Sequence, residues 1–218
     1  MIYKVAIFIK ETYNVKSGIK IELTKKIPVS AGLGGGSSNA AQTIIALSKL
    51  WNLNLPETEM HTIAGNFGSD INFFFNGGCA LGEGRGEIIT PLETIDIDNI
   101  LLVNPGFEIS SKEAYESVKI SKKENTCWID LMRHKDVSYC YNKLAEGICN
   151  NYPEIKQIID HLQDNGAKKA MLSGSGATVI GFCPDKKTAE KLANHYSGKK
   201  YWNHITKTKR RTKWKLQM

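Results

Sequence analysis

A glycine-rich run is the part of this sequence best suited to chemistry. It reads PVSAGLGGGSS from Pro28 to Ser38, and four of the five residues from Gly32 to Gly36 are glycines. Because glycine lacks a Cβ, its backbone N–H groups can turn inward and a ligand can approach closely. The helix predicted to begin at about Ser38 directs unpaired N–H groups to the same place. The run therefore predicts an anion-binding loop, with a phosphate as the expected ligand.

Two better-known phosphate-binding motifs do not fit this run. The P-loop of nucleotide kinases requires GxxxxGK followed by Ser or Thr, and the sequence contains no such string. The dinucleotide fingerprint GxGxxG fails because Ser37 occupies the position of its last glycine. One alternative stays open, in which the glycines only make a tight strand-to-helix turn.

A single carboxylate downstream of the run is a candidate catalytic group. Asp70 lies in the segment GSDINFFF, shortly before three phenylalanines. Phosphoryl transfer needs an aligned acceptor oxygen, a cradle for phosphate charge and a carboxylate that accepts the hydrogen bond of the attacking hydroxyl. Asp70 could supply that carboxylate. The alternative role is that of a turn or capping aspartate after Gly68 and Ser69.

Composition indicates an ordinary soluble protein with a basic end. The 218 residues carry 29 basic and 22 acidic side chains, a formal charge of +7, and no stretch resembles a membrane span or a signal peptide. We therefore expect a cytoplasmic location. A terminal cluster supplies most of the excess charge and contains Lys207, Lys209, Arg210, Arg211, Lys213 and Lys215. This tail, which also carries Trp214, is expected to be solvated; binding to nucleic acid or to an anionic surface is the alternative.

The cysteines and histidines predict no metal site. The five cysteines form no CxxC pair and are odd in number, which is typical of reduced thiols rather than of a zinc site or a disulfide framework. The five histidines are scattered without the short spacings of metal ligands. No residue is therefore assigned to a metal.

Alternating helical and strand patterns predict an α+β protein. Strands are expected at IKIELTKKI, CALGEG, IITPLE, ILLVNPG and on both sides of LSGSGAT. Helices are expected at about residues 2–13, 38–50, 55–68, 110–118, 136–149, 153–166 and 185–196. A polar, acidic connector near residues 94–99 indicates a boundary, so we expect a first domain at 1–97, a second at 98–206 and the basic tail at 207–218.

Three motifs, in this order, resemble the GHMP small-molecule kinase superfamily. They are the glycine run IPVSAGLGGGSSNAA, the segment GSDINFFFNGG and the turn LSGSGAT, with GEGRGE and the NPG strand before the last. Within the superfamily, the closer resemblance is to the kinases that phosphorylate a cytidine diphosphate-linked methylerythritol in non-mevalonate isoprenoid biosynthesis. The resemblance covers nearly the whole chain, although the glycine run by itself also fits homoserine, mevalonate and galactose kinases.

The resemblance implies a fold, a reaction and a set of residues. The GHMP kinase fold would be a domain like the second domain of a small-subunit ribosomal protein, here partial, followed by a ferredoxin-like domain. The reaction would transfer phosphate from ATP, with Mg²⁺, to the 2-hydroxyl of the methylerythritol substrate, and Asp70 would accept or orient the proton of that hydroxyl. Gly174, Ser175 and Gly176 would bring a second stretch of backbone close to the substrate, although they could also be a hairpin turn between two strands. The segment that would hold the ATP phosphates comprises Pro28, Val29, Ser30, Ala31, Gly32, Leu33, Gly34, Gly35, Gly36, Ser37 and Ser38.

The sequence departs from the family pattern in two places. The family's first motif supplies a lysine near the reacting groups and a tyrosine-histidine segment that reads the cytidine, and no position here matches either. Relatives also often carry an acid after an asparagine where this chain has Asn142-Lys143-Leu144. We therefore expect an amino-terminally truncated kinase with little activity by itself. Another GHMP kinase, or a nucleic-acid-binding module that uses the basic tail, are the alternatives.

Overall fold

The computed structural model describes residues 1–118, 127–198 and 200–210, which divide into two compact units. The first unit comprises Met1–Lys26 and Gly34–Thr94, together with Arg210. The second comprises Ile27–Leu33 and Ile95–Lys209. The glycine-rich run therefore changes unit between Leu33 and Gly34, and its two halves are held by different surroundings.

The first unit is mainly helical, with one antiparallel hairpin. The helix predicted near the start is confirmed. The helix predicted at about residues 55–68 is present but shorter; Pro56 precedes it, and its first turn carries the acids Glu57 and Glu59, which suit the positive end of the helix dipole. Its elements are helix α1 at Ile2–Thr12, α2 at Gly35–Leu50, α3 at Glu57–Gly65, a 3₁₀ helix at Ser69–Phe75 and the paired strands β1 at Cys79–Glu83 and β2 at Ile88–Leu92.

The core of the first unit fixes the 3₁₀ helix that carries Asp70. Ile71 is fully buried and Phe75 nearly so, whereas Asp70 is exposed. Burial of one such side chain contributes about 1.5–3 kcal/mol, which anchors one face of the short helix and leaves the carboxylate on the other. The side chains packed with them from α1, α2 and α3 include Val5, Ile9, Ile44, Leu47 and Ile63.

Two sequence predictions for the first unit need correction. The strand predicted at residues 19–27 is wrong, because residues 15–26 form neither helix nor strand. A strand requires a hydrogen-bonded neighbour, and no described residue pairs with this segment, whose alternating Ile19, Ile21 and Leu23 are 40–52% exposed. The helix predicted to begin at about Ser38 begins three residues earlier, at Gly35.

The second unit is a four-stranded antiparallel sheet with helices packed against it. The strands are β3 at Ile100–Asn104, β4 at Lys169–Leu172, β5 at Val179–Phe182 and β6 at Trp202–Thr206. Their order in the sheet is β4-β5-β3-β6, and Val103 of β3 pairs with Val179 of β5 and with Asn203 of β6. Strand β6 was not predicted from the sequence. The helices are α4 at Ser111–Glu116, α5 at Cys127–His134, α6 at Leu144–Asn151, α7 at Pro153–Asp164 and α8 at Lys186–Tyr196.

The helix predicted at about residues 136–149 is wrong in extent. The chain forms a short 3₁₀ helix at Val137–Tyr139 and then starts α6 afresh. Side-chain oxygens interrupt a continuous helix, because Asp136 Oδ1 accepts from Ser138 N–H at 2.9 Å and Asn142 Oδ1 accepts from Leu144 N–H at 3.0 Å. Both bonds close local turns, and the second turn places Asn142 just before the start of α6.

The rest of the chain adds two observations. Of the predicted basic tail, Arg211, Lys213, Trp214 and Lys215 lie outside the described residues. Within residues 1–118, 127–198 and 200–210, no helix combines the length and the hydropathy that a membrane span requires.

Candidate active site

Helix α2 begins with three backbone N–H groups that lie outside its own hydrogen-bond ladder. Its N-cap residue is Gly34, no side chain caps the helix and its first turn holds no acid. The first intrahelical bond runs from Ser38 N–H to the Gly34 carbonyl at 2.9 Å. The N–H groups of Gly35, Gly36 and Ser37 therefore precede the helical ladder, and no described residue accepts from them.

Open space and a positive charge lie at this helix end. A Cβ built on Gly36 would meet no atom within 4 Å, and one built on Gly35 would meet only the ammonium of Lys25, with Nζ at 3.3 Å. The Lys25 side chain is exposed, and no carboxylate among the described residues pairs with it. The hydroxyls of Ser37 and Ser38 are likewise without a described hydrogen-bond partner. All of these groups suit an anion.

The same helix end is packed against the segment that carries Asp70. Gly34 has a φ of +63°, and a Cβ there would overlap the ring of Phe74, with Cε2 at 2.9 Å. Phe74 lies four residues after Asp70 in the 3₁₀ helix, a separation of roughly 8 Å along its axis. Asp70 is thus held within the neighbourhood of the glycine-rich helix start.

The β1–β2 turn closes around Asp70 from another side. A Cβ on Gly86 would lie 3.9 Å from Asp70 Oδ1, and Asn72 Nδ2 donates to the Glu87 carbonyl at 3.0 Å. The turn is fixed by the Glu87 carboxylate, which accepts from Arg85 N–H at 2.7 Å. Hydrogen bonds from its own backbone N–H and from that of Arg85 hold the pKa of Glu87 below its usual value. The predicted GEGRGE turn thus forms one wall beside the carboxylate.

In the second unit, the other half of the glycine run meets the LSGSGAT turn. Ser173 Oγ donates to the Gly32 carbonyl at 2.9 Å, and Thr178 N–H donates to the Ala31 carbonyl at 3.3 Å. A Cβ on Gly32 would overlap the Ser173 carbonyl oxygen and lie 2.8 Å from Gly176 N. The close approach therefore requires glycine at position 32, whose φ is +69°.

The LSGSGAT turn is also held from its other side. Asn142 Nδ2 donates to the carbonyls of Leu172 and Gly174, at 2.9 and 2.8 Å. Ser175 Oγ lies 3.3 Å from Ser111 Oγ, where both hydroxyls are exposed. The hairpin turn considered from sequence is present, since β4 and β5 are paired on its two sides.

The remaining predicted residues are less constrained. Val29 and Ser30 are exposed, Pro28 and Leu33 are half-buried, and Ser30 has a φ of +50°. Gly34 to Ser38 and Asp70 lie in the first unit, whereas Pro28 to Leu33 and Gly174 to Gly176 lie in the second.

Sequence reasoning missed two residues that the structure brings to these loops. The alternating pattern at residues 19–27 predicts only a strand position for Lys25, yet its ammonium lies at the start of α2. Its position three residues before Pro28 was the only available signal. The sequence distinguishes Asn142 only by the lysine that follows it, and its contacts with residues 30 and 32 positions away carry no sequence signal.

Comparison with protein families gives matches in both halves of the chain. Residues 1–78 match the GHMP kinases N terminal domain and residues 128–201 match the GHMP kinases C terminal domain. A relative from Thermodesulfovibrio yellowstonii, 4-diphosphocytidyl-2-C-methyl-D-erythritol kinase, is 38% identical over 95% of this chain and 76% of its own length. The protein of the same name from Clostridium perfringens is 35% identical over 94% of this chain and 75% of its own length.

Solved structures agree with these relatives. The crystal structure of 4-(cytidine 5'-diphospho)-2C-methyl-D-erythritol kinase superposes with a TM-score of 0.77 and 26% identity, over 93% of this chain and 76% of that one. Homoserine kinase from Cytophaga hutchinsonii superposes with a TM-score of 0.71 over 96% of this chain and 76% of that one, but its 15% identity shows the fold alone. The expected α+β GHMP kinase fold is confirmed, and the nucleic-acid-binding alternative is the less supported one. The chain belongs to the 4-diphosphocytidyl-2-C-methyl-D-erythritol kinase family of the GHMP kinases.

Proposed function

We propose that this chain transfers phosphate from ATP, accompanied by Mg²⁺, to the 2-hydroxyl of 4-diphosphocytidyl-2-C-methyl-D-erythritol. The relatives named for that substrate are 35–38% identical to it, whereas the homoserine kinase neighbour shares 15%. When bound, ATP supplies the phosphoryl group that is transferred. The remaining task of the protein is to hold phosphates, to shield their charge and to orient the acceptor hydroxyl.

The start of α2 is the observation that carries this proposal. Three N–H groups that donate to no described residue, a helix dipole worth roughly half a positive charge and the Lys25 ammonium all face one region. The open space over Gly36 leaves room for phosphate oxygens to approach the backbone. The residues present therefore fit a polyphosphate, with the Ser37 and Ser38 hydroxyls as additional donors.

Asp70 is the proposed partner of the acceptor hydroxyl. Its carboxylate is exposed, so a substrate can reach it, and the buried Ile71 and Phe75 hold its backbone still. The Gly86 backbone approaches on one side without a side chain that would cover it. In this position Asp70 accepts the hydrogen bond of the hydroxyl and takes its proton as the bond to phosphorus forms.

The nucleotide half of the proposal can be tested by NMR. Titration of the labelled chain with ATP and Mg²⁺ is expected to shift the amide resonances of Gly35, Gly36 and Ser37, because their N–H groups would donate to phosphate. The amide of Gly18, a glycine outside α2 where a Cβ would meet no atom within 4 Å, serves as the control. Saturating ATP that leaves the three resonances unmoved would contradict the proposal.

The acceptor half can be tested by transfer of labelled phosphate. With labelled ATP, we expect product from the cytidine diphosphate-linked methylerythritol and none from homoserine or mevalonate. Detection of the labelled product also registers slow turnover. Equal transfer to mevalonate or homoserine would refute the substrate assignment and leave only a GHMP kinase of other specificity.

Replacement of Asp70, the proposed catalytic carboxylate, tests its role in the same assay. Asp70→Asn is expected to lower the transfer rate by roughly 10²–10⁴-fold without weakening ATP binding, because the amide cannot accept the proton. Asp164→Asn, at an exposed aspartate that ends α7, is the matched control and should transfer phosphate at the unchanged rate. An Asp70→Asn chain as active as this control would remove Asp70 from the mechanism.

A further inference from the structure

Asn142 uses its side-chain amide to hold the backbone of the LSGSGAT turn. Both Nδ2 protons are used, one on the Leu172 carbonyl at 2.9 Å and one on the Gly174 carbonyl at 2.8 Å, while Oδ1 accepts from Leu144 N–H at 3.0 Å. Two partners can only accept and the third can only donate, so the amide fits in one orientation. Asn142 is therefore a fixed bridge between the start of α6 and the turn.

Apart from the β4–β5 ladder, in which Leu172 pairs with Val179, two backbone hydrogen bonds close the turn that Asn142 holds. Its internal bonds run from Gly176 N–H to the Ser173 carbonyl and from Ser173 N–H to the Thr178 carbonyl, both at 2.8 Å. Neither involves the carbonyls of Leu172 and Gly174. Gly174 has a φ of +51°, which glycine adopts without strain. Glycine also adopts many other backbone conformations, so this residue by itself does not fix the turn. Asn142 thus restrains the carbonyl on each side of Ser173.

Ser173 passes this restraint to the glycine-rich run. Its hydroxyl donates to the Gly32 carbonyl at 2.9 Å, and a Cβ on Gly174 would lie 2.9 Å from the same oxygen. The two backbones are in contact with no side chain between them, so a shift of the turn by a few tenths of an ångström displaces Gly32. All of these residues belong to the second unit.

We propose that Asn142 is a positioning residue for phosphate transfer, which sets the Ser173–Gly176 backbone and, through the Ser173 hydroxyl, the Gly32 end of the glycine-rich run. This inference rests on the proposed kinase function. Asn142 acts through these loops and contributes no group to the reacting atoms. Its Oδ1 closes the local turn before α6 by accepting from Leu144 N–H, whereas its Nδ2 holds the LSGSGAT turn, so the two roles can be separated by substitution.

Asn142→Asp and Asn142→Ser remove the amide donors and keep an oxygen that can accept from Leu144 N–H in the turn before α6. Asn165→Ser is the matched control, because Asn165 Nδ2 donates to a single carbonyl, that of His161 at 2.9 Å, at the end of α7 in the same unit. Amide hydrogen exchange of Ser173 and Gly176 reports the order of the turn, and the amide of Tyr152, bonded to the Ile148 carbonyl at 2.8 Å, reports α6.

Both Asn142 variants are expected to speed exchange at Ser173 and Gly176 about tenfold or more, with Tyr152 unchanged, and to lower kcat by about 10–100-fold at temperatures where the chain stays folded. The Asn165 variant should do neither. Unchanged exchange at the turn would overturn the proposal, as would faster exchange with kcat and the ATP KM unaltered, since the bridge would then serve stability alone.

The readouts separate this inference from the proposed function. If the unaltered chain transfers phosphate to no acceptor, the proposed function fails. The affinity for a fluorescent ATP analogue then replaces kcat as the second readout, and Asn142 variants that bind it as tightly as the Asn165 variant would overturn the positioning role. A loosened turn accompanied by weaker binding would support it.

Discussion

The glycine-rich run contains two kinds of glycine. Gly32 and Gly34 have φ values of +69° and +63°, and a Cβ on either would collide with protein atoms, the backbone of the Ser173–Gly176 turn in one case and the Phe74 ring in the other. Gly35 and Gly36 are helical, and a Cβ there would meet a flexible lysine or nothing within 4 Å. The first pair is required by the fold of the free protein; the second pair is not.

The difference identifies where a ligand is expected. A glycine in a helix costs up to about 1 kcal/mol relative to alanine, so glycines without a steric reason call for another explanation. At Gly35 and Gly36 the explanation is the unused N–H groups beside Lys25, which a phosphate could reach only if no side chain stands in the way. Gly32 and Gly34 shape the loop, and Gly35 and Gly36 leave space in it.

The largest change in stability is expected when Gly32 is replaced. Gly32→Ala should lower the free energy of unfolding by at least about 2 kcal/mol, because the new methyl meets backbone atoms that cannot rotate away and the positive φ disfavours alanine. Urea denaturation measures the loss. Gly18→Ala, at a glycine with no neighbour within 4 Å, is the control. If both variants are equally stable, Gly32 is not sterically required.

A smaller change in stability, of opposite sign, is expected when Gly36 is replaced. Gly36→Ala should raise the free energy of unfolding by up to about 1 kcal/mol, since alanine favours a helix and meets no neighbour. The same methyl should weaken ATP binding by about tenfold, because it enters the space proposed for phosphate. Denaturation and titration with a fluorescent ATP analogue measure the two effects. Undiminished affinity in the stabilised variant would argue against a phosphate over Gly36.

The smallest effect, on ATP binding, is expected when Lys25 is replaced. Lys25→Gln should weaken ATP binding several-fold, by about three- to tenfold at low salt, and less at high salt because the ammonium is exposed and screened. Lys26→Gln, the same change at the adjacent exposed lysine, is the control. Equal losses in the two variants, or a loss independent of salt, would show that Lys25 makes no particular contribution to the site.

Local sequence patterns predicted the parts of the site that short-range geometry controls. The glycine run, the helix after it, the Asp70 segment and the LSGSGAT turn between paired strands could all be recognised from residue types and spacing. Local patterns failed where the outcome depends on a distant partner. The alternation of Ile19, Ile21 and Leu23 indicated a strand, but no described strand lies beside it. The periodicity near residues 136–149 indicated one helix, but Asn142 turns the chain first.

The sequence by itself determined the chemistry available to this protein: a backbone able to approach an anion, a helix to polarise it, and one carboxylate downstream to accept a proton. These properties follow from residue type and neighbouring residues, because glycine freedom and helix termini are local. Only the tertiary structure decided which glycines are sterically required, that Lys25 stands at the helix start, and that Asn142 braces the turn touching Gly32. Those contacts join residues from 10 to 144 positions apart, and their existence depends on packing that no local pattern specifies.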